Sequence, residues 1–217
     1  MLTQEFFDRD AEVVAKDLLG KVLRVKHERT WLSAMIIETE AYYRAEKGSH
    51  ASLGYTEKRK ALFMAGGTIY MYYARGGDSL NVSCRGEGNA CLIKSAKPYC
   101  DERSAPNMLA LMHKLNPAVS GALRHPERLC SGQTLLCRAL GLKVPEWDAK
   151  SFDPKRFYIE DVGYRPEKII QTTRLGIPIG RDEHLMYRYI DFIHAPFCTD
   201  NPLKKRSWQL GKHYFVV

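Results

Sequence analysis

Glu38 and Glu40 are separated by one residue. On a β-strand that spacing sends both carboxylates to the same face. Tyr42 and Tyr43 follow at once. A carboxylate at a strand end beside aromatic rings is partly desolvated, and such a group can take a proton from water. A solvated acidic strand end is the competing reading. The tyrosines Tyr42, Tyr43, Tyr70, Tyr72 and Tyr73 crowd one part of the chain, with Tyr70 and Tyr72 on one strand face. Flat rings close to basic groups are what a base-stacking pocket needs, and core packing is the alternative. His50 sits in the loop Gly48-Ser49-His50-Ala51, where it is either a pocket residue or a surface histidine.

Other chemistries find no support. Gly66-Gly67-Thr68 and Gly86-Glu87-Gly88 fit neither a phosphate-binding loop nor a dinucleotide fingerprint. The six cysteines form no CxxC pair, and the Cys84–Cys91 and Cys130–Cys137 spacings are too wide for a zinc knuckle. They are expected to be buried or incidental thiols, with no metal. Residues 1–20 lack a basic region followed by an apolar core. The longest uncharged stretch, Ala61 to Ala74, falls short of the ~20 residues that span a bilayer. These features predict a soluble, intracellular protein of the cytoplasm, nucleoid or nucleus, with no membrane partner.

The elements that must position these residues can be read from periodicity. Ala11, Val14, Ala15, Leu18 and Leu19 make one helical face, capped by Asp8 or Asp10 and ended by Gly20. Lys21 to His27 and Trp31 to Ile37 read as strands joined by a turn at 28–30, the second running on into Glu38 to Tyr42. A short helix is expected over Glu57 to Met64, and strands over Thr68 to Tyr73, Leu80 to Ser83 and Ala90 to Ser95. Arg75-Gly76-Gly77-Asp78 reads as a turn. Helices are expected around Leu109 to Leu115 and over Thr134 to Leu140, with late strands over Arg156 to Glu160 and Tyr187 to Phe192. No repeat or Gly/Ser-rich linker divides the 217 residues, so one α+β domain over 1–217 is predicted.

Apolar residues make up 45% and charged residues 27%, which excludes wholesale disorder. The net charge of +8 suggests a polyanionic partner. The charge is uneven: residues 51–100 carry +4, whereas residues 1–50 carry −1.

Met35-Ile36-Ile37-Glu38-Thr39-Glu40-Ala41-Tyr42, followed by Ser49-His50-Ala51, resembles the signature of the alkyladenine (3-methyladenine) DNA glycosylase family. The likeness continues through Phe63-Met64, Gly67-Thr68, Tyr70 and Tyr72, then through Asn81-Val82-Ser83 with Gly86-Glu87-Gly88. It extends to Cys91 through Pro98, Leu129 to Gly132, Leu136 to Leu140 and Arg174-Leu175-Gly176. The segments occur in family order over nearly the whole chain.

That resemblance implies a monofunctional glycosylase that flips an alkylated purine out of duplex DNA. It implies a compact domain with a curved, mostly antiparallel sheet, surrounding helices and a DNA-inserting β-hairpin. Glu40 would be the base that activates water, with Lys94 beside it where the family has arginine. Tyr42, His50, Tyr70, Tyr72, Asn81 and the Leu175 backbone would hold the substrate. Tyr73, Arg75 and Leu92 would meet the DNA. No cofactor or metal is implied, and the protein would act as a monomer. The family's wedging hairpin tyrosine is missing here; Tyr73-Ala74-Arg75-Gly76 occupies a hairpin one residue shorter. The family's Pro-Arg-Asn and Ser-Gly-Pro segments become Glu57-Lys58-Arg59 and Ser131-Gly132-Gln133. The alternative is a diverged homologue that binds damaged DNA and cuts weakly or not at all.

Overall fold

The computed structural model describes residues 1–74, 76–119 and 121–217 as an α+β fold around one nine-stranded sheet. The chain opens with α1 (Gln4–Phe7), α2 (Ala11–Asp17), β1 (Val22–His27) and β2 (Thr30–Tyr42). Two 3-10 turns, His50–Leu53 and Glu57–Phe63, lead into β3 (Ile69–Ala74), β4 (Gly77–Ser83) and β5 (Ala90–Pro98). Then come α3 (Met108–Leu115), α4 (Gln133–Leu140) and α5 (Val144–Trp147). The last strands are β6 (Phe157–Glu160), β7 (Ile169–Thr172), β8 (Arg188–Asp191) and β9 (Tyr214–Val216).

Asp10 is the cap that starts α2: its carboxylate accepts from the Glu12 and Val13 amides at 2.9 and 3.4 Å. The helix ends at Asp17, two residues earlier than its apolar stripe predicts, and Leu18 and Leu19 stay fully buried beyond it. Gly20 then takes φ +83, with the Tyr164 ring so close that no Cβ would fit. The chain can therefore turn straight into β1.

β2 is the spine of the sheet. Its first half pairs with β1 and its second half with β8, while β5 runs along the other edge. All the strand pairings are antiparallel, in the order β3-β4-β5-β2-β8-β7-β9 with β1 and β6 alongside. The register of β2 against β5 shifts on both sides of Glu38, so Lys94 falls between the paired residues Ile93 and Ser95. A bulge of this kind re-aims side chains.

One register row crosses seven strands. Tyr70 lies opposite Asn81, Asn81 opposite Leu92, and Leu92 opposite Glu40. Glu40 lies opposite Arg188, Arg188 opposite Thr172, and Thr172 opposite Tyr214. Directly opposed residues share a face. The neighbours between them, such as Thr39, Ala41, Ile69, Met71, Val82, Cys91 and Ile93, point the other way. There all but Thr39 join the main core with Val14, Leu18, Leu136 and Leu140 from α2 and the α4 region; the Thr39 hydroxyl donates to the Ala15 carbonyl at 2.7 Å. One face of the sheet is thus packed with helices, and the other carries the row.

The hairpin differs from its sequence reading. Gly77 and Asp78 belong to β4, because the Asp78 carboxylate accepts from the Val144 amide and the Lys143 ammonium and so anchors the strand. Strands β7 and β9 carry too short a pattern to be read from sequence, and pairing with β8 creates them. Five of the six cysteines are buried and all are free thiols; burial raises the pKa of Cys84 to about 12. Among the described residues no His/Cys/Asp/Glu group could hold a metal, and no helix is long and apolar enough to cross a membrane.

Candidate active site

Strand β2 delivers Glu38 and Glu40 to the same face, and their surroundings then separate them. Neither is a solvated strand end: both are 0% exposed. Glu38 is saturated. Its carboxylate pairs with the Arg188 guanidinium at 2.7 Å and accepts from the Thr199 hydroxyl at 2.6 Å, the Thr199 amide at 3.2 Å and the Ser95 hydroxyl. No room is left for a water to react there.

Glu40 is held by fewer groups. The Tyr42 hydroxyl donates to one carboxylate oxygen at 2.6 Å. The other faces Lys94 Nζ at 3.3 Å and the Leu175 amide at 3.3 Å. Burial alone would raise the Glu40 pKa. The Lys94 and Arg188 charges, then the Tyr42 and Leu175 hydrogen bonds, outweigh it and hold the carboxyl below its ordinary value. The group stays an anion, and it is dry. Burial and the Glu40 charge push the Tyr42 phenol well up, so it remains a donor.

Above Glu40 lies a cavity of about 460 Å³. Tyr42, His50, Tyr70, Tyr72, Asn81, Leu92, Lys94 and Leu175 all line it. Tyr70 and Tyr72 stack at 5.4 Å, and the His50 ring meets Tyr72 edge-on at 4.4 Å. His50 Nδ1 lies 3.0 Å from the Tyr70 hydroxyl. The His50 residue is exposed overall, but its ring lies among the tyrosines; burial first, then the Arg59 and Arg181 charges, lower its pKa. The imidazole is therefore neutral at neutral pH. The Asn81 amide group donates to the Tyr70 carbonyl at 3.2 Å, which fixes the side chain at the cavity wall.

The remaining expected positions fall in different places. Tyr73 is 67% exposed on the hairpin and borders the cavity mouth. Leu92 is only 2% exposed and forms cavity wall rather than outer surface, because its row neighbours Asn81 and Glu40 flank it. Arg75 lies outside the described residues. The Leu175 backbone reaches Glu40 through its amide hydrogen.

Arg188 gave no signal of this kind in the sequence, and Arg174 appeared only within the Arg174-Leu175-Gly176 likeness, with no role of its own. Arg188 is 1% exposed and lowers the Glu40 pKa from the next strand. Arg174 donates to the Ala41 carbonyl at 2.9 Å, pairs with Glu46 at 2.5 Å and lies 4.5 Å over the Tyr42 ring. Only the fold brings Arg188 beside Glu40 and Arg174 over Tyr42.

A buried anion beside a cavity walled largely by aromatic rings, with Lys94 and Arg181 also in its lining, can deprotonate a water, and the rings can stack on a flat cation.

A family model described as methylpurine-DNA glycosylase matches residues 5–193. A protein of Pseudomonas syringae pv. tomato is 70% identical over 216 residues, covering 100% of this chain and 96% of its own. A Pseudomonas aeruginosa protein is 61% identical, covering 100% and 90%. One from Clostridium botulinum is 31% identical over 206 residues, covering 92% and 96%. All three carry the provisional name 3-methyladenine DNA glycosylase.

Proposed function

The chain belongs to the methylpurine-DNA glycosylase family, and from that premise we propose that it hydrolyses the N-glycosidic bond of alkylated purines in duplex DNA. The substrates are of the 3-methyladenine type, and residues 1–217 act as one glycosylase domain and as a monomer. The observation that carries this reading is Glu40: buried, held as an anion, and in contact with Tyr42, Lys94 and Leu175, which line an aromatic cavity.

The damaged nucleotide leaves the stack and enters the cavity, with the β3–β4 hairpin and Tyr73 facing the gap. Alkylation at N3 or N7 leaves the purine cationic. Tyr42, Tyr72 and neutral His50 offer ring faces and edges and no opposing charge. Water attacks C1′ while the C1′–N bond breaks. The bond electrons pass to the purine, which leaves neutral, and the water proton passes to Glu40. Because the leaving group is already positive, no acid, metal or Schiff base is required.

A release assay tests the reading. Purified protein should free 3-methyladenine and 7-methylguanine from alkylated duplex DNA, faster than hypoxanthine, which is neutral and lacks a built-in leaving-group charge. Binding with no release of any base would show instead the non-cleaving homologue.

Lys94 carries a further expectation. The Lys94→Met substitution removes a charge that holds Glu40 low, so the Glu40 pKa rises. Activity requires the anion, and it is therefore lost at a higher pH on acidification. The acidic limb of the single-turnover pH profile should move upward in Lys94→Met. A limb that stays in place would mean that Lys94 does not tune the base.

A further inference from the structure

The match to the family model ends at residue 193. The 24 residues that follow carry four of the chain's basic side chains, Lys204, Lys205, Arg206 and Lys212, against the single acid Asp200. Residues 151–193 are balanced, so all of the positive charge of the last third resides here.

The sheet fixes where this charge sits. Tyr214 ends the row that contains Glu40, three strands away. Three strand spacings are about 14 Å. His213, which precedes Tyr214, lies past the Thr172 end of β7, the end from which the chain runs on to Leu175 at the cavity; the Thr172 hydroxyl donates to the His213 carbonyl at 3.0 Å. On the other side, the Ser131 hydroxyl donates to the Cys198 carbonyl at 3.0 Å, next to Gln133 on the cavity rim.

The segment is also built. Asn201 is 1% exposed; its amide donates to the Ala195 carbonyl and its oxygen caps the following turn at Leu203. Trp208 stacks on His213 at 5.6 Å, and Lys205 lies 4.2 Å over the Trp208 ring while pairing with Asp200 at 2.9 Å. Lys205 is thereby committed inward. Arg206 and Lys212 are exposed and form no ion pair among the described residues.

We propose that Arg206 and Lys212, in the segment leading into the strand that lies about 14 Å from Glu40, contact phosphates of the duplex flank on the side away from the β3–β4 hairpin. The inference rests on the proposed glycosylase function. Two exposed cations on successive turns, in the segment that leads into β9, match a regular row of anions. The hairpin then holds the lesion from one side, and this segment holds the flank from the other.

The double variant Arg206→Gln with Lys212→Gln tests it, using equilibrium binding to a long duplex bearing a tetrahydrofuran abasic-site analogue. Each lost contact should make the salt dependence shallower by ~0.9, so the two together remove roughly tenfold of the affinity lost between about 50 and about 200 mM salt. Single-turnover release of 7-methylguanine at saturating DNA should be unchanged. Equal slopes and equal affinities would overturn the proposal and leave the segment to an acidic protein partner. A slower release with unaltered binding would also overturn it, since the segment would then act through the fold. Failure of the wild-type protein to release any base would strike at the glycosylase reading, and the salt slopes alone would still decide whether the segment meets DNA.

Discussion

Single-turnover release of 3-methyladenine by the Glu40→Gln variant is expected to fall by about 10²–10⁴-fold, the usual contribution of a positioned base. That is about 3–5.5 kcal/mol of barrier. Glutamine keeps the shape and can still accept from Tyr42, so the cavity should persist and lesion DNA should still bind. Stability should hardly change. The Lys94 side chain is 9% exposed and opens on the cavity, so water can solvate its charge once the carboxylate is gone. A variant that releases base at the wild-type rate would remove Glu40 from the mechanism. So would a variant that loses DNA binding in parallel with rate, because the carboxylate would then be a structural group.

Glu38→Gln should give the opposite pattern. Its partner Arg188 is 1% exposed and has no route to solvent. Removing one member of a buried ion pair typically costs about 3–5 kcal/mol, because the remaining charge is left uncompensated. For a domain of this size, each kcal/mol lowers Tm by about 2–4 °C, so a fall of roughly 10 °C is expected. Thermal unfolding followed by circular dichroism measures it. A change of about 2 °C or less would mean that Arg188 finds other partners, for instance the Asp200 carbonyl that it already meets at 2.5 Å. Two glutamates of one type, two residues apart on one strand face, thus divide structure from chemistry. What divides them is the number of donors each one meets.

This division sets a limit on what the sequence could reveal. The face shared by Glu38 and Glu40 follows from alternation, and so do the shared face of Tyr70 and Tyr72 and the apolar stripe of α2. Those patterns are local and survived into the structure. The strand β7 was not legible, since four residues carry little periodicity and their identity as a strand is settled by pairing with β8. The roles of Arg188 and Arg174 were illegible for a related reason, although Arg174 falls in a segment with family likeness. An arginine reads as a surface residue until the fold surrounds it with Glu38, Thr199, Glu46 and the Tyr42 ring. Lys94 was legible as a substitution, but its aim depends on the bulge beside Glu38, which alternation does not predict. Leu92 was read as a DNA contact from its segment alone. Its opposition to Glu40 turns it inward.

The row from Tyr70 to Tyr214 also bears on when this chain can act. Its members meet only across distant stretches of sequence, and Glu40 gains Lys94, Leu175 and the charge of Arg188 from three different regions. Contacts of such long range form late, after large loops have closed. A partly folded chain presents the glutamate wet, with no cage above and no cation beside it. It is then an ordinary solvated carboxylate. On the proposed mechanism, the environment that would make Glu40 a base is completed only with the finished sheet.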